Sequence, residues 1–158
     1  MTFLEWSDDL DTGIEVIDGQ HRRIVDMINQ LHLAQQGNQS QNIGQVIDEL
    51  VDYTTSHFAF EESMLEEAGY VFTKAHKRVH EVFIKRVDDY RARYSRGEDV
   101  TDELKGLLGR WLFGHIRNED RNYVSAVAEN LRKLSADQAE GGWLARARRR
   151  FFRTGGAR

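Results

Sequence analysis

With 158 residues, a net charge of −4, 30% charged residues and neither proline nor cysteine, the chain has room for one compact domain with a sizeable core, not for two ordinary ones. The missing cysteines exclude a disulfide scaffold, and the missing prolines let helices run uninterrupted, so the expected fold class is all-α. No apolar run approaches the ~18 residues of a membrane span; residues 1–20 carry acids where a secretory leader would be basic and then apolar, so a soluble, cytoplasmic protein is expected.

Residues 1–16 lie outside any helical pattern, and Phe3, Leu4 and Trp6 are expected to pack across one end of the fold. The first helix is expected from about Ile17 to Gln36, with Ile17, Ile24, Ile28 and Leu31 on one face, ending in "QQGNQSQN". A second runs from near Gln41 to a stop at Gly69, with Val46, Leu50, Tyr53, His57, Glu61, Met64 and Leu65 along its inner stripe. Thr73 is the candidate N-cap of a third helix, whose inner face reads His76, Val79, His80, Phe83, Val87, Tyr90 and Tyr94 before "SRGED" breaks it. The fourth opens at Thr101 with Asp102 and Glu103 and passes Leu104, Leu108, Trp111, Leu112, His115 and Tyr123 to about Leu134. Four amphipathic helices with short connections predict an antiparallel up-down-up-down four-helix bundle over residues 1–136, with an N-terminal arm. Gly106, Gly109 and Gly114 oppose helix formation by about 1 kcal/mol each, and close helix approach near a crowded site would explain them.

The chemistry lies on the inner stripes. His76 and His80, four apart, share a helix face whatever their purpose, and alone would read as a surface pair. They are joined by His57 and Glu61 at the same spacing, by His115 and Asp120 five apart, and by His21, so every helix contributes a ligand-type side chain on its apolar side. Five imidazoles and two carboxylates buried in one small core require compensation, because buried polar groups need partners and an unpaired buried carboxylate costs several kcal/mol. A metal supplies it: the donor set exceeds one tetrahedral zinc and suits two ions bridged by carboxylates, iron being the best match, with zinc and manganese open. The Glu-x-x-His of carboxylate-rich di-iron proteins and the His-Glu-x-x-His of zinc proteases are both absent.

This ordered set, His21, His57-x-x-x-Glu61, His76-x-x-x-His80 and His115-x-x-x-x-Asp120, resembles the hemerythrin family, and specifically its bacterial members, over residues 3–130. The resemblance implies two iron ions with an oxo or hydroxo bridge: His76, His80 and His115 on one, His21 and His57 on the other, Glu61 and Asp120 bridging. It further implies that the second iron keeps a position open for dioxygen, bound reversibly by a carrier, store or sensor rather than an enzyme, in a pocket lined by Ile24, Phe58, Trp111 and Leu112. The alternatives are a di-iron enzyme (oxidase, peroxidase or nitric-oxide handling) and an oxygen-responsive signalling module. His32 is expected to be a surface or packing residue, Glu62, Glu66, Glu67, Asp88 and Asp89 a solvated face, and Tyr123 core.

Residues 143–158 contain six arginines and no acid, so the −4 of the whole chain divides into +6 here and −10 in residues 1–142. Residues 137–158 are expected to form a basic amphipathic extension hinged at Gly141 and Gly142, with Trp143, Leu144, Ala147, Phe151 and Phe152 as its apolar stripe. It is either docked on the acidic body or free to meet a membrane surface or protein partner; nucleic acid is not expected, because the body is acidic.

Overall fold

The computed structural model describes residues 3–37, 40–136 and 143–152. Its helices are α1 (Glu15–Gln36), α2 (Ser40–Glu67), α3 (Thr73–Ser95), α4 (Thr101–His115), α5 (Arg121–Ala136) and α6 (Trp143–Phe152), with a short 3-10 turn at Asp8–Leu10. Each of α1 to α4 packs on its sequence neighbour and α1 closes the ring against α4, giving the expected four-helix bundle. Among the described residues there is no strand, and no helix is long and apolar enough to cross a membrane.

Local chemistry sets the helix ends. The Asp18 carboxylate reaches back one turn to accept from the Thr12 and Gly13 backbone N–H groups (2.8 and 3.0 Å) and from the Thr12 hydroxyl (2.8 Å), which ties down the chain entering α1. Gly69, at φ 69°, ends α2: its N–H donates to Glu66 O and that of Tyr70 to Leu65 O, the paired bonds of a left-handed helix stop. Gly97, at φ 93°, ends α3 in the same way through Tyr94 O and Arg93 O. Thr73 is not the N-cap of α3. Phe72 holds that position, and Thr73 is the first helical residue, its hydroxyl donating to Tyr70 O at 2.6 Å.

The fourth helix departs from one regular run. Between α4 and α5, residues Ile116–Asp120 form a π-helical turn. At 3.6 residues per turn, side chains five apart point about 140° away from each other, so His115 and Asp120 would not face one site from a regular helix. The wider π turn accommodates the extra residue and brings both inward, a device common at functional sites.

The N-terminal arm follows the α1–α4 seam rather than crossing one end: the backbone N–H and C=O of Leu4 pair with the Asn29 side chain (2.8 and 3.0 Å), and the Trp6 indole N–H donates to Asp11 (3.0 Å). This accounts for Gly109, where an added Cβ would meet Leu4 Cδ2 at 3.0 Å. Gly106 faces the Arg110 guanidinium and Gly114 open space, so close approach between helices explains none of the three glycines.

Helix α6 lies on α2 and α5. Ala147 is buried, Phe152 lies 5.1 Å from the Tyr53 ring and 5.9 Å from Phe60, and Phe151 lies 6.3 Å from Phe60, while Arg146, Arg148, Arg149 and Arg150 are exposed. The described part of the apolar stripe is therefore docked on the protein's own body. Gly141, Gly142 and the side chains of Trp143 and Leu144 lie outside the described residues.

The apolar core falls into two clusters. One contains Ile24, Ile28, Leu31, Leu50, Phe58, Phe83, Leu108 and Leu112; the other is built from Ile17, Phe60, Met64, Leu65, Tyr123 and Val127. His21, His57, Glu61, His76, His80, His115 and Asp120 form a buried polar layer, which on α1, α2 and the α4–α5 run lies between the residues of the two clusters.

Candidate metal centre

All seven candidate ligands converge, and each is at most 5% exposed. Glu61 Oε1 lies 2.7 Å from His76 Nε2 and 3.2 Å from His80 Nε2; Asp120 Oδ1 lies 3.1 Å from His76 Nε2 and 3.0 Å from His115 Nε2; the Nε2 atoms of His80 and His115 are 3.1 Å apart. On the other side of the same carboxylates, Asp120 Oδ2 lies 3.2 Å from His21 Nε2, and Glu61 Oε2 lies 3.6 Å from His57 Nε2 and 4.0 Å from His21 Nε2. Together, Glu61 Oε1 and Asp120 Oδ1 face the three imidazoles of His76, His80 and His115, each oxygen lying near two of them, while Glu61 Oε2 and Asp120 Oδ2 face His21 and His57. Two donor groups result, Glu61 with His76, His80, His115 and Asp120, and Glu61 with His21 and His57.

The polar atoms fit metal ions better than they satisfy one another. Both ring nitrogens of His21, Nδ1 of His115 and both oxygens of Asp120 are buried without a hydrogen bond; Asp120 Oδ1 is close to two imidazole nitrogens but in hydrogen-bond geometry with neither. Orphaned buried atoms of this kind are rare in a finished core. Five imidazoles with two carboxylates are borderline-to-hard donors, suited to iron.

Electrostatics gives the same picture. Burial drives His57 down to about 3, keeping it neutral, as a ligand must be. Burial also pushes against the charged forms of His76 and Glu61, but the hydrogen bonds and charges between them win: His76, held by Asp120 and Glu61, is raised to about 10, and Glu61 falls far below the usual carboxylate range. Asp120 is likewise lowered well below its ordinary value, against burial, by the charge of the adjacent His115 and by the nearby His21 and His76.

A second ring of contacts orients the ligands. His57 Nδ1 pairs with Gln20 Oε1 (2.7 Å) and His80 Nδ1 with Glu62 Oε2 (2.8 Å), so each Nδ1 donates outward and Nε2 is the nitrogen turned toward the centre. The Tyr123 hydroxyl donates to Glu61 Oε2 at 3.0 Å. Tyr123 is core, as expected, and also serves the site. Glu62 does not belong to the solvated face; it is 21% exposed and turned toward His80. Gln20 is new: a buried polar residue beside His21 was its only signal. His32 proves a packing residue, stacked on Phe3 at 5.1 Å and accepting from Lys105 Nζ at 2.9 Å.

Of the expected pocket residues, Ile24, Phe58 and Leu112 are buried and Trp111 half-buried. Phe58 stacks on His80 (3.8 Å, 7°) and Trp111 on His115 (4.4 Å, 15°), so these two aromatics cover the three-histidine side.

The family model for the hemerythrin HHE cation binding domain matches residues 12–127. The chain belongs to the hemerythrin family. Among similar proteins, the bacteriohemerythrin of Pseudomonas aeruginosa (strain LESB58) is 62% identical over 152 residues, covering 96% of this chain and 99% of that protein. The bacteriohemerythrin of Stenotrophomonas maltophilia (strain R551-3) is 57% identical over the same shares. The bacteriohemerythrin of Methylococcus capsulatus (strain ATCC 33009 / NCIMB 11132 / Bath) is 33% identical, covering 78% of this chain and 95% of its own. The crystal structure of a wild-type hemerythrin superposes with a TM-score of 0.76 at 28% identity, covering 80% of this chain and 98% of that one. The function of this hemerythrin-family chain is dioxygen binding at a non-heme di-iron centre, and the buried His/Glu/Asp cluster is a group of side chains that could hold the metal.

Proposed function

We propose that residues 1–136 form a reversible dioxygen binder, a carrier, store or sensor in the cytoplasm rather than an enzyme. His76, His80 and His115 hold one iron, His21 and His57 the other, and Glu61 and Asp120 bridge the pair. The observation that carries this reading is the division of the two carboxylates, Oε1 and Oδ1 toward three imidazoles and Oε2 and Oδ2 toward two. The unequal division leaves the two-histidine side short of one protein donor, which is where a small ligand enters.

When bound, the two irons supply the open coordination position and the electrons on which dioxygen binding draws. The protein's side chains do the rest. Five neutral imidazoles put less negative charge around the centre than a carboxylate-rich shell does, which disfavours highly oxidised metal and with it oxygen activation. The two second-ring contacts differ in the same direction: the Glu62 carboxylate makes His80 the more basic ligand, while the neutral Gln20 amide leaves His57 less so. Tyr123 holds its proton against Glu61 Oε2, and burial, followed by the charges of Glu61 and Asp120, raises its hydroxyl well above the usual value, so it stays a donor at all working pH. Ile24, Phe58, Trp111 and Leu112 keep water from the site.

Iron analysis of variants tests the assignment. Wild type is expected to hold two irons per chain, His57→Ala to lose the iron of the two-histidine side first, and Glu61→Ala to lose both. Equal loss in the His57 and His80 variants would count against the division, and turnover of a co-substrate with consumption of dioxygen would replace the binder by an enzyme.

The exposed arginines of α6 are the surface we propose for a membrane or protein partner. Because Ala147, Phe151 and Phe152 face the body, attraction there is electrostatic and weakens with salt. Equal sedimentation on anionic vesicles with and without residues 141–158 removes the membrane from this account.

A further inference from the structure

The outer face of α3 presents Lys74, Ala75, Arg78, Val79 and Val82 at helical spacing, and with Trp111 of α4 they line a groove of about 520 Å3. Val82 is 57% exposed, and Lys74 and Arg78, one turn apart, have neither hydrogen-bond nor ion-pair partners among the described residues. Two free cations thus stand at one end of an apolar trough. The floor of the trough connects inward: the Trp111 ring stacks on Phe83 (3.7 Å, 15°) and on His115 (4.4 Å, 15°), and His115 Nε2 lies 3.0 Å from Asp120 Oδ1. A surface groove joined by one stacked aromatic to a metal ligand is a short, closely packed path for electrons.

We propose that this groove binds a planar anionic two-electron donor of the reduced flavin phosphate class, and that Trp111 and His115 pass its electrons to the centre. The proposal rests on the di-iron reading above, since a ferrous pair exposed to dioxygen drifts to the ferric state and must be returned. The volume suits one such molecule. Ala75, Val79 and Val82 provide apolar walls for the ring system, and Lys74 and Arg78 take the phosphate. An acidic redox protein would be drawn to the same two cations but would need to cover roughly 800 Å2 of surface, whereas the groove itself has the dimensions of one small molecule. In the transfer, the hydroquinone anion gives up two electrons and one proton to become oxidised flavin; each of two ferric ions takes one electron, and the proton goes to solvent.

The test compares the iron-loaded full chain with its Lys74→Glu/Arg78→Glu variant, both exposed changes outside the ligand set. Flavin mononucleotide binding is read by quenching of flavin fluorescence, and return to the ferrous state by the photoreduced flavin under nitrogen is read optically. Wild type is expected to bind with a Kd below about 100 μM. The variant should bind at least tenfold more weakly and be reduced correspondingly more slowly, while riboflavin, lacking the phosphate, binds both proteins equally. Equal flavin mononucleotide affinity in the two proteins, a riboflavin response matching that of the phosphate, or no binding by wild type at about 1 mM overturns the proposal. Dithionite separates the two claims: a sample it cannot return to the ferrous state counts against the di-iron reading, and one it reduces while the flavin does not counts against the groove alone.

Discussion

Metal uptake by this protein should be strongly pH-dependent, because in the metal-free chain a proton occupies a ligand's place. His76 Nε2, wedged between Glu61 Oε1 at 2.7 Å and Asp120 Oδ1 at 3.1 Å, holds its proton up to about 10. His80 is also raised, against burial, by Glu61 and Glu62. An ion at Nε2 must displace that proton. At pH 7, three units below 10, this costs about 4 kcal/mol at roughly 1.4 kcal/mol per unit, or about 10³ in affinity relative to the deprotonated site. Affinity at the three-histidine side should therefore rise about tenfold per pH unit between roughly pH 6.5 and 8.5, more steeply if His80 also releases a proton. The same contacts fix the sign for the metal-free fold. His76, raised above its ordinary 6.5, contributes stability that is full below 6.5 and lost as pH rises through about 10. Glu61 and Asp120, lowered from 4.5 and 3.8, contribute stability above those values that is lost in acid. His57, lowered to about 3, works the other way and costs stability as pH falls below 6.5, so the metal-free protein is most stable near pH 6.5, where its affinity for metal is still poor. Chelator competition with ferrous ion under nitrogen, in weak buffer containing a pH indicator, measures affinity and proton release together. A flat affinity over this range with no proton released would refute the reasoning.

Three further substitutions probe the second ring and the tail. Gln20→Ala removes the acceptor of His57 Nδ1–H and should weaken the two-histidine side about 10- to 100-fold while sparing the other, so that chains at limiting iron hold nearer one ion than two. Tyr123→Phe keeps the ring but strips Glu61 Oε2 of its donor; urea unfolding of the metal-free protein should show a loss of about 1–3 kcal/mol. Phe152→Ala uncovers Tyr53 and Phe60, and because Phe152 is only half-buried the loss should be about 1–2 kcal/mol, with α6 the first segment released by limited proteolysis.

The bundle and the convergence of seven donor-type side chains were legible because both are written in spacing. Apolar stripes at helical period mark the inner faces, and histidines on those stripes stand out against the cost of burying them. The π turn was less legible, although the five-residue gap between His115 and Asp120 is incompatible with a regular helix facing one site, and that mismatch is its signal. Gln20 and Glu62 were not legible, since each reads as an ordinary polar neighbour until the helix across the core brings an imidazole Nδ1 to it. Gly109 misled for a related reason: a glycine records that something comes close, and here it is Leu4 from an arm without periodicity. The docking of α6 depends on Phe60, which sits next to a ligand in sequence but faces away from the centre into the second apolar cluster.

The central claim is that this buried cluster holds two irons that bind dioxygen and let it go. Gas uptake by the ferrous protein, measured with its optical spectrum, tests this most directly: one dioxygen per two irons is expected, with a charge-transfer band that disappears under vacuum as the ferrous spectrum returns over repeated cycles. Uptake that is irreversible, or that departs from one dioxygen per iron pair, would contradict it.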